Sequence, residues 1–361
     1  MSGSALYFTA PRTVERRPIE VARVAPDEVV VETVASAISA GTELLVYRDE
    51  IPEQTPIDDA LPAFDGDFSY PLRYGYSTVG RVVDCGSRVD DDWLGRTVFG
   101  FYPHQTHVTA RPTELVVVDD AVEPAHAALL PTLETATNLV LDAAPMLGER
   151  VVVFGAGSIG LCTIRLLASF PLAELVVVEP VEHRREIARE FGADRVYDPT
   201  ADTELGADRD FDAGDNADRD AAVGNSEPDE TVVDRVGDGF DLAIELSGQP
   251  DVLNTAVDAV GYDGRVVVGS WYGSKRTSVD FGGRFHRNRI EIRSSQVSTI
   301  APELRGRWNR DRRFETALDG LSRIDCERLI THRIPFTAAE RAYELLDSSP
   351  ESVLQVVLTY E

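Results

Sequence analysis

The most constraining feature of this chain is the run Val151-Val152-Val153-Phe154-Gly155-Ala156-Gly157-Ser158-Ile159-Gly160, in which strand-forming residues lead into G-x-G-x-x-G. Residues 161–168 then have a helical pattern. In a Rossmann unit, Gly155 permits the tight turn, Gly157 lets the backbone approach a pyrophosphate, and Gly160 lets the helix pack closely on the strand. The first helical amides face the phosphates. The predicted dinucleotide contacts are Gly155, Gly157, Ser158, Ile159 and Gly160.

A second predicted strand, 174–178, ends at an acid, Glu179, which lies 179 − 160 = 19 residues after Gly160. An acid at about this spacing accepts hydrogen bonds from the adenosine ribose. Its charge repels a 2′-phosphate, so NAD(H) is favoured. Arg184, a further predicted cofactor contact, together with its neighbours His183 and Arg185, leaves NADP(H) as the alternative. A βαβ turn without any ligand is the other alternative.

The composition is strongly acidic, with 62 acidic against 35 basic residues and a net charge of −27. Lys275 is the sole lysine, which leaves 35 − 1 = 34 arginines. An acidic, lysine-poor chain is typical of the cytoplasm of a halophilic archaeon, where salt screens self-repulsion. The charge argues against nucleic-acid or anionic-membrane partners.

The three cysteines, Cys85, Cys162 and Cys326, are scattered. They argue for a reducing compartment and against both a disulfide framework and a four-cysteine zinc lobe. The sequence shows neither a long apolar run nor the layout of a signal peptide. We therefore expect a cytoplasmic protein.

The chain divides into three parts. Residues 1–122 are β-rich, 123–299 alternate strands and helices around the glycine motif, and 300–361 return to mixed structure ending in a β-prone segment at 353–358. Within the middle part, residues 201–230 contain 11 acids and almost no apolar residues, which predicts a solvated insertion. The predicted fold class is α/β, with a parallel doubly wound sheet and a second β-rich domain.

This organisation resembles the medium-chain dehydrogenase/reductase superfamily. The similarity covers nearly the whole chain, and its markers are Ser39-Ala40-Gly41-Thr42-Glu43, Tyr74-Gly75-Tyr76-Ser77, the glycine motif, and Ile330-Thr331-His332-Arg333-Ile334-Pro335. The resemblance implies a GroES-like catalytic domain split around a Rossmann domain, with the active site in the cleft and a homodimer as the assembly. The first two segments are most similar to the bacteriochlorophyllide hydroxyethyl dehydrogenase-like group.

The sequence departs from the zinc-dependent members of that superfamily. Ala40 stands where those enzymes carry a cysteine, and Tyr76 stands where they carry a histidine. In the third-ligand region, 131–134, only Glu134 has a metal-binding side chain. One plausible ligand does not hold Zn²⁺, which takes three protein ligands in catalytic sites. We therefore expect neither a catalytic nor a structural zinc, and no other metal.

Without a metal, hydroxyl groups must stabilise charge on the substrate oxygen. Thr42 matches the proton-relay hydroxyl of the superfamily, and the alternative is a residue that caps the following helix. Tyr76 and Ser77 are candidate hydrogen-bond donors, and Tyr76 is alternatively a packing aromatic. Glu134 is either a general base or a buried partner of an arginine. Glu43 is expected to be structural.

Three further groups of residues are predicted more weakly. Trp271, with Tyr272, follows a Rossmann strand and is predicted to lie near the nicotinamide. His104 and His107 are expected to be surface histidines. Nine arginines between 284 and 313 either form an interface or bind an anionic substrate, and the candidate substrate contacts are His286, Arg287 and Arg289.

The sequence thus predicts an NAD(P)-dependent, zinc-independent oxidoreductase. It interconverts a small alcohol with its carbonyl compound or reduces an activated double bond. The substrate is anionic if the arginines contact it. Two alternatives remain. One is a zinc-dependent alcohol dehydrogenase, and the other is a non-catalytic dinucleotide-binding redox sensor.

Overall fold

A computed structural model describes residues 2–52, 55–57, 66–200 and 239–361. The acidic insertion predicted at 201–230 lies outside the described residues. The strands are β1 (Ser2–Ala10), β2 (Thr13–Glu20), β3 (Val29–Ile38), β4 (Thr78–Cys85), β5 (Thr97–Gly100), β6 (His107–Ala110), β7 (Val116–Val117), β8 (Arg150–Phe154), β9 (Glu174–Val178), β10 (Arg195–Tyr197), β11 (Phe240–Glu245), β12 (Val260–Val268), β13 (Glu291–Ser294), β14 (Ile330–Pro335) and β15 (Gln355–Thr359). The helices are α1 (Ala40–Arg48), α2 (Pro124–Ala127), α3 (Leu130–Ala143), α4 (Ser158–Leu167), α5 (Glu182–Glu190), α6 (Val252–Ala259), α7 (Arg310–Gly320), α8 (Cys326–Leu329) and α9 (Ala339–Ser348).

Six of these strands form a parallel sheet in the order β10-β9-β8-β11-β12-β13. This is the doubly wound order, and it reverses direction between β8 and β11. The central strands β8, β9 and β11 are mostly apolar and buried because helices cover both faces of the sheet. The α/β prediction is confirmed, and the glycine motif follows β8 at the point where such sheets bind ligands.

The second sheet combines the two ends of the chain. Its order is β14-β15-β3-β4-β5-β7, and β6 also pairs with β3. Strand β15 runs antiparallel to β3, which confirms that the β-prone C-terminal segment rejoins the first sheet. Strands β1 and β2 form a separate antiparallel hairpin that the sequence analysis did not predict.

Two helices, α2 and α3, lead into the Rossmann strand β8, and the helical path breaks between them. Pro131 is the reason for the break. Its ring excludes the carbonyl of Ala127 from a continuous helix, and it lacks the N–H that would bond there. Pro131 instead lies in the first turn of α3, where a missing N–H costs nothing. Across the described residues, the helices fall short of the length and apolarity that a membrane crossing requires.

Candidate active site

Gly155 and Gly160 show the backbone constraints expected from the sequence, and Gly157 has the open surroundings that its predicted role needs. Gly155 has φ +98°, and a Cβ there would lie 2.7 Å from the Leu246 backbone. A Cβ on Gly160 would lie 2.3 Å from the Gly155 carbonyl oxygen, so only glycine lets α4 pack this closely. A Cβ on Gly157 would meet nothing within 4 Å. Gly157 therefore opens onto free space at the uncapped start of α4, as a pyrophosphate site requires.

Glu179 follows β9 and is buried beside the glycine motif. Its Oε2 accepts a hydrogen bond from Ala156 N at 2.7 Å, and its Oε1 accepts one from Val181 N at 3.0 Å. A carboxylate has about four lone-pair positions, so it retains acceptor capacity for ribose hydroxyls. The motif and this acid together fit a dinucleotide.

The arginines after Glu179 make contacts within the protein. Arg184 Nη2 donates to the carbonyl oxygens of Pro350 and Val353, and the contact with Val353 is 2.8 Å. Arg185 Nη1 donates to the carbonyl oxygen of Glu179 at 2.7 Å. Both guanidinium groups are therefore engaged by the protein itself. Arg184 links the Rossmann sheet to the segment that leads into β15.

Ser158 and Ile159 lie in the first turn of α4, as the motif predicts. The Ser158 hydroxyl donates to the carbonyl oxygen of Leu354 at 3.0 Å, and this bond also joins the Rossmann domain to the second sheet.

The candidate catalytic hydroxyls converge at the start of α1. Tyr76 donates a hydrogen bond to Ser39 Oγ, and its hydroxyl lies 3.4 Å from Thr42 Oγ1. Ser39 is the N-cap of α1 and makes no side-chain capping bond, so the idea that Thr42 caps this helix is wrong. Burial raises the pKa of Tyr76, its hydrogen bonds with Ser39 and Thr42 oppose that shift, and the charge of Glu43 adds to it. Tyr76 is consequently a neutral phenol near neutral pH.

A buried polar network supports these hydroxyls. Glu43 is fully buried. Its Oε1 accepts from Ser39 N at 2.7 Å, and its Oε2 accepts from Tyr343 at 2.5 Å and contacts His104 Nε2 at 3.1 Å. Since a carboxylate only accepts, His104 Nε2 carries a hydrogen, and His104 Nδ1 is 2.7 Å from the Ser36 hydroxyl. The charge of Glu43 is thus held by several donors.

His104 is also fully buried, so the expectation of a surface histidine is wrong for this residue. Its imidazole lies 2.4 Å from where a Cβ on Gly75 would be, and Gly75 has φ +94°. His107, by contrast, is only partly buried and bonds the Thr106 hydroxyl. Gly75, directly before Tyr76, was a sequence signal that another residue packs closely against the backbone at this point. Nothing in the sequence identified His104 as that residue.

Ser77 and Glu134 lie apart from the converging hydroxyls. The buried Ser77 hydroxyl donates to the carbonyl oxygen of Ala128 at 2.6 Å. Glu134 Oε1 accepts from Arg313 Nη2 at 2.7 Å and from Nε at 3.1 Å, and the Arg313 side chain is 1% exposed. Glu134 is therefore the buried partner of an arginine, one of the two roles considered for it.

These residues do not fit a catalytic zinc. Ala40 has no donor atom, the Tyr76 phenol is neutral, and the Glu134 carboxylate is paired with Arg313. Elsewhere, Glu123, His126 and Glu327 place one ligand atom each within 4.8 Å of one another. Arg333 Nη2 already lies 2.6 Å from Glu327 and 3.5 Å from Glu123, so this group is a surface ion-pair network.

Aromatic rings connect the Rossmann domain to Tyr76. The Trp271 ring is 6.0 Å from Phe68, Phe68 is 5.3 Å from Tyr74, and Tyr74 is 6.0 Å from Tyr76. Trp271 is 41% exposed, and it follows β12 at the carboxyl edge of the parallel sheet. Tyr272 donates to Glu245 at 2.5 Å. Trp271 therefore lies on the cofactor side of the sheet.

The basic candidates lie at the other edge. His286, Arg287 and Arg289 directly precede β13, so they lie at the amino ends of the parallel strands. Asp263 N donates to Asn288 O at 2.7 Å, and Arg289 pairs with Asp263 at 3.6 Å. Because parallel α/β sheets bind ligands at their carboxyl edge, the structure does not bring these three residues to the glycine motif.

Comparison with known proteins agrees with this geometry. A family profile described as zinc-binding dehydrogenase matches residues 158–314, a range that excludes positions 40 and 76. D-guloside 3-dehydrogenase of Escherichia coli K12 is 25% identical over 98% of this chain and 99% of its own length.

Two solved structures share the fold over 99% of both chains. An alcohol dehydrogenase of Escherichia coli CFT073 in complex with NADH has a TM-score of 0.73 and 18% identity. A protein described as a zinc-binding dehydrogenase of Sinorhizobium meliloti 1021, bound to NADP, has a TM-score of 0.71 and 18% identity. These two structures show the fold. Together with the Rossmann site, the family profile and the similarity to D-guloside 3-dehydrogenase support the placement of this chain in the medium-chain zinc-binding dehydrogenase/reductase superfamily, as an NAD(P)-dependent oxidoreductase of the alcohol dehydrogenase type.

Proposed function

We propose that this protein is an NAD(H)-dependent dehydrogenase that interconverts an alcohol and its carbonyl compound without a catalytic metal. The observation that carries this proposal is the convergence of the Tyr76, Ser39 and Thr42 hydroxyls where the zinc-dependent relatives hold their metal. The bound nicotinamide supplies the hydride acceptor or donor. The protein has to orient the substrate oxygen and stabilise its developing charge.

Tyr76 is the proposed hydrogen-bond donor to the substrate oxygen. Its raised pKa keeps the phenol protonated at the pH of the reaction. A preorganised donor of this kind is worth about 3 kcal/mol in the transition state. During carbonyl reduction the Tyr76 O–H turns from Ser39 Oγ to the substrate oxygen and gives its proton to the nascent alkoxide. The Ser39 and Thr42 hydroxyls then donate hydrogen bonds to the phenolate, which takes a proton back from solvent.

Glu43 is the proposed positioning residue for this donor. It fixes the backbone of Ser39, the residue that Tyr76 contacts, while Tyr343 and His104 fix Glu43. His104 also sets the backbone of Gly75, which directly precedes Tyr76. A network with every charge-bearing oxygen satisfied is rigid, and rigidity is what preorganisation requires.

NAD(H) is the proposed cofactor. Glu179 would lie beside a 2′-phosphate, while Arg184 and Arg185 already bond protein carbonyls. We further propose that the protein is cytoplasmic and salt-adapted, because its composition is strongly acidic. We also propose a homodimer, because β13 is at an open edge of the parallel sheet formed by the described strands.

The test is a spectrophotometric assay at 340 nm with neutral alcohols and diols, comparing NAD⁺ with NADP⁺ before and after dialysis against a chelator. We expect unchanged activity after chelation, metal analysis without stoichiometric zinc, and a preference for NAD⁺. Activity that disappears with the chelator and returns with Zn²⁺ would favour the zinc-dependent alternative. Tight NADH binding without turnover of any alcohol or carbonyl would favour the redox sensor.

A further inference from the structure

A cleft of about 380 Å³ lies beside the second half of α1, the helix that begins at the candidate catalytic hydroxyls. Thr42, Leu45, Val46 and Asp49 are spaced i, i+3, i+4 and i+7, so they follow one face of the helix. The last three line the cleft. A substrate whose reacting oxygen is at Thr42 and Tyr76 therefore extends towards Asp49. The volume falls within the range of about 300–1,000 Å³ that is typical of small-molecule sites.

The Rossmann domain closes this region from the other side. Phe68 lines the cleft and lies 6.0 Å from the Trp271 ring. Ser274 N donates to Glu50 O at 2.7 Å, and a Cβ on Gly273 would lie 2.2 Å from the same oxygen. The segment after β12 thus packs on the end of α1. The cleft therefore lies beside the segment that follows β12 at the carboxyl edge of the parallel sheet.

The cleft has negative charge and aromatic surface. Asp49 and Asp67 line it, and both are exposed. Hydrogen bonds from Ser69 lower the pKa of Asp67. The phenol of Tyr70, which donates to Val46 O, is kept neutral because burial and then the charge of Asp49 raise its pKa to about 12. Among the described residues that line the cleft, none is an arginine, lysine or histidine.

From this lining we propose that the cleft is the substrate's distal subsite and that it binds a neutral, hydroxyl-rich molecule such as a sugar alcohol or glycoside. The inference rests on the proposed dehydrogenase function and names its substrate class. Carboxylates accept charge-assisted hydrogen bonds from hydroxyl groups. The electron-rich faces of Phe68 and Trp271 attract the polarised C–H groups of a sugar ring.

The same lining excludes an anionic substrate, which the sequence had suggested. A carboxylate or phosphate on the substrate about 6 Å from Asp49 or Asp67 lowers the binding affinity about 100-fold at an effective dielectric of about 20. The loss of affinity is smaller at high salt. Arg287 and Arg289, the two arginines named as candidate substrate contacts, are at the amino edge of the parallel sheet.

The experiment measures kcat/KM with NAD⁺ for matched sets: neutral hexitols and methyl hexosides, the corresponding aldonates and sugar phosphates, and the corresponding amino sugars. Binding of each compound to the NADH-loaded protein is measured in parallel by calorimetry. We expect the neutral compounds to exceed their anionic counterparts by at least about 10-fold in both measurements. We also expect Asp49→Asn and Asp67→Asn to raise KM for neutral compounds about 10-fold and to reduce the discrimination against anions.

Asp92→Asn is the control, because it removes one exposed negative charge outside the cleft and should change neither value. Preference for the aldonates, phosphates or amino sugars would overturn the inference. Turnover of simple alcohols with no gain from additional hydroxyls would also overturn it, while leaving the dehydrogenase function intact. Binding of neutral polyols without any turnover would support the subsite and overturn the proposed function.

Discussion

The phenol of Tyr76 donates its hydrogen bond to the hydroxyl of Ser39, the residue that begins helix α1. This contact links the two sequence segments in which the chain departs from its zinc-dependent relatives. A metal in that position would polarise the substrate oxygen by its charge. On the proposed zinc-independent mechanism, a neutral phenol would do so by a directed hydrogen bond, and the buried network around Ser39 and Glu43 would hold that direction.

Tyr76→Phe should reduce kcat about 100- to 1,000-fold, because it removes the donor to the substrate oxygen and leaves the ring. The dissociation constant for NADH, measured by fluorescence titration, should not change. Tyr102→Phe is the matched control, since the Tyr102 hydroxyl bonds Glu114 at the surface. Equal activity of Tyr76→Phe and wild type would show that Tyr76 is only a packing aromatic.

Glu43→Gln should lower kcat at unchanged KM and cost about 1–3 kcal/mol of stability, because the amide presents a donor to Tyr343 or His104, which both already donate. Glu43→Asp retains the negative charge. When the two variants are compared at equal thermal stability, Glu43→Asp should be more active than Glu43→Gln. If the two variants lose activity only in proportion to stability, Glu43 has no positioning role.

The glycine motif was predictable because its function is local. Turn, close approach and helix packing each require glycine at a fixed spacing. Gly155 and Gly160 show the turn and the packing in the structure, and Gly157 has open space around it. The polar network was not predictable in the same way. Glu43 and His104 are 61 residues apart in sequence, and only the tertiary fold makes them partners.

The position of the candidate anion contacts was hard to predict for a related reason. Composition shows that residues 284–313 are basic, but the edge of the sheet to which they belong depends on the strand that follows them. Because β13 begins at Glu291, Arg287 and Arg289 are fixed at its amino end, away from the glycine motif. Clustering along a sequence therefore carried less information than position relative to a strand.

Arg313→Ala should destabilise the protein by about 3–5 kcal/mol, because it leaves the Glu134 carboxylate buried and unpaired. Arg328→Ala is the control. Its partner Glu190 is half-exposed, so the loss should be about 0–1 kcal/mol. Chemical denaturation of both variants gives the comparison.

Glu134→Gln should keep the kcat of the wild type, because Glu134 pairs with Arg313 and is not expected to act on the substrate. A large loss of kcat in this variant would restore the general-base role.

Alkaline pH should destabilise the fold through its buried tyrosines. Burial, then the charge of Glu43, raises the pKa of Tyr343 well above its ordinary value of 10.0. A folded-state pKa above the unfolded value contributes stability that is complete below about pH 10 and is lost as pH rises further, by up to about 1.4 kcal/mol per pH unit. Absorbance at 295 nm should show Tyr343 ionising only with unfolding, and the step should be smaller in Tyr343→Phe. Ionisation of Tyr343 in the folded protein at pH 10 would contradict this.

Salt should stabilise the protein, because its net charge of −27 makes the folded state repel itself. The range of that repulsion falls from about 10 Å at 0.1 M to about 3 Å at 1 M ionic strength. The exposed ion pairs, such as that between Arg328 and Glu190, are also screened, but each contributes at most about 1 kcal/mol. Repulsion among 62 acids opposed by 35 bases is therefore the larger effect.

The melting temperature should rise by about 10 °C or more between 0.2 and 3 M KCl. Sucrose at matched water activity should reproduce only part of that rise, since it does not screen charge. A melting temperature that is flat or falls with KCl would show that the acidic surface is not an adaptation to salt.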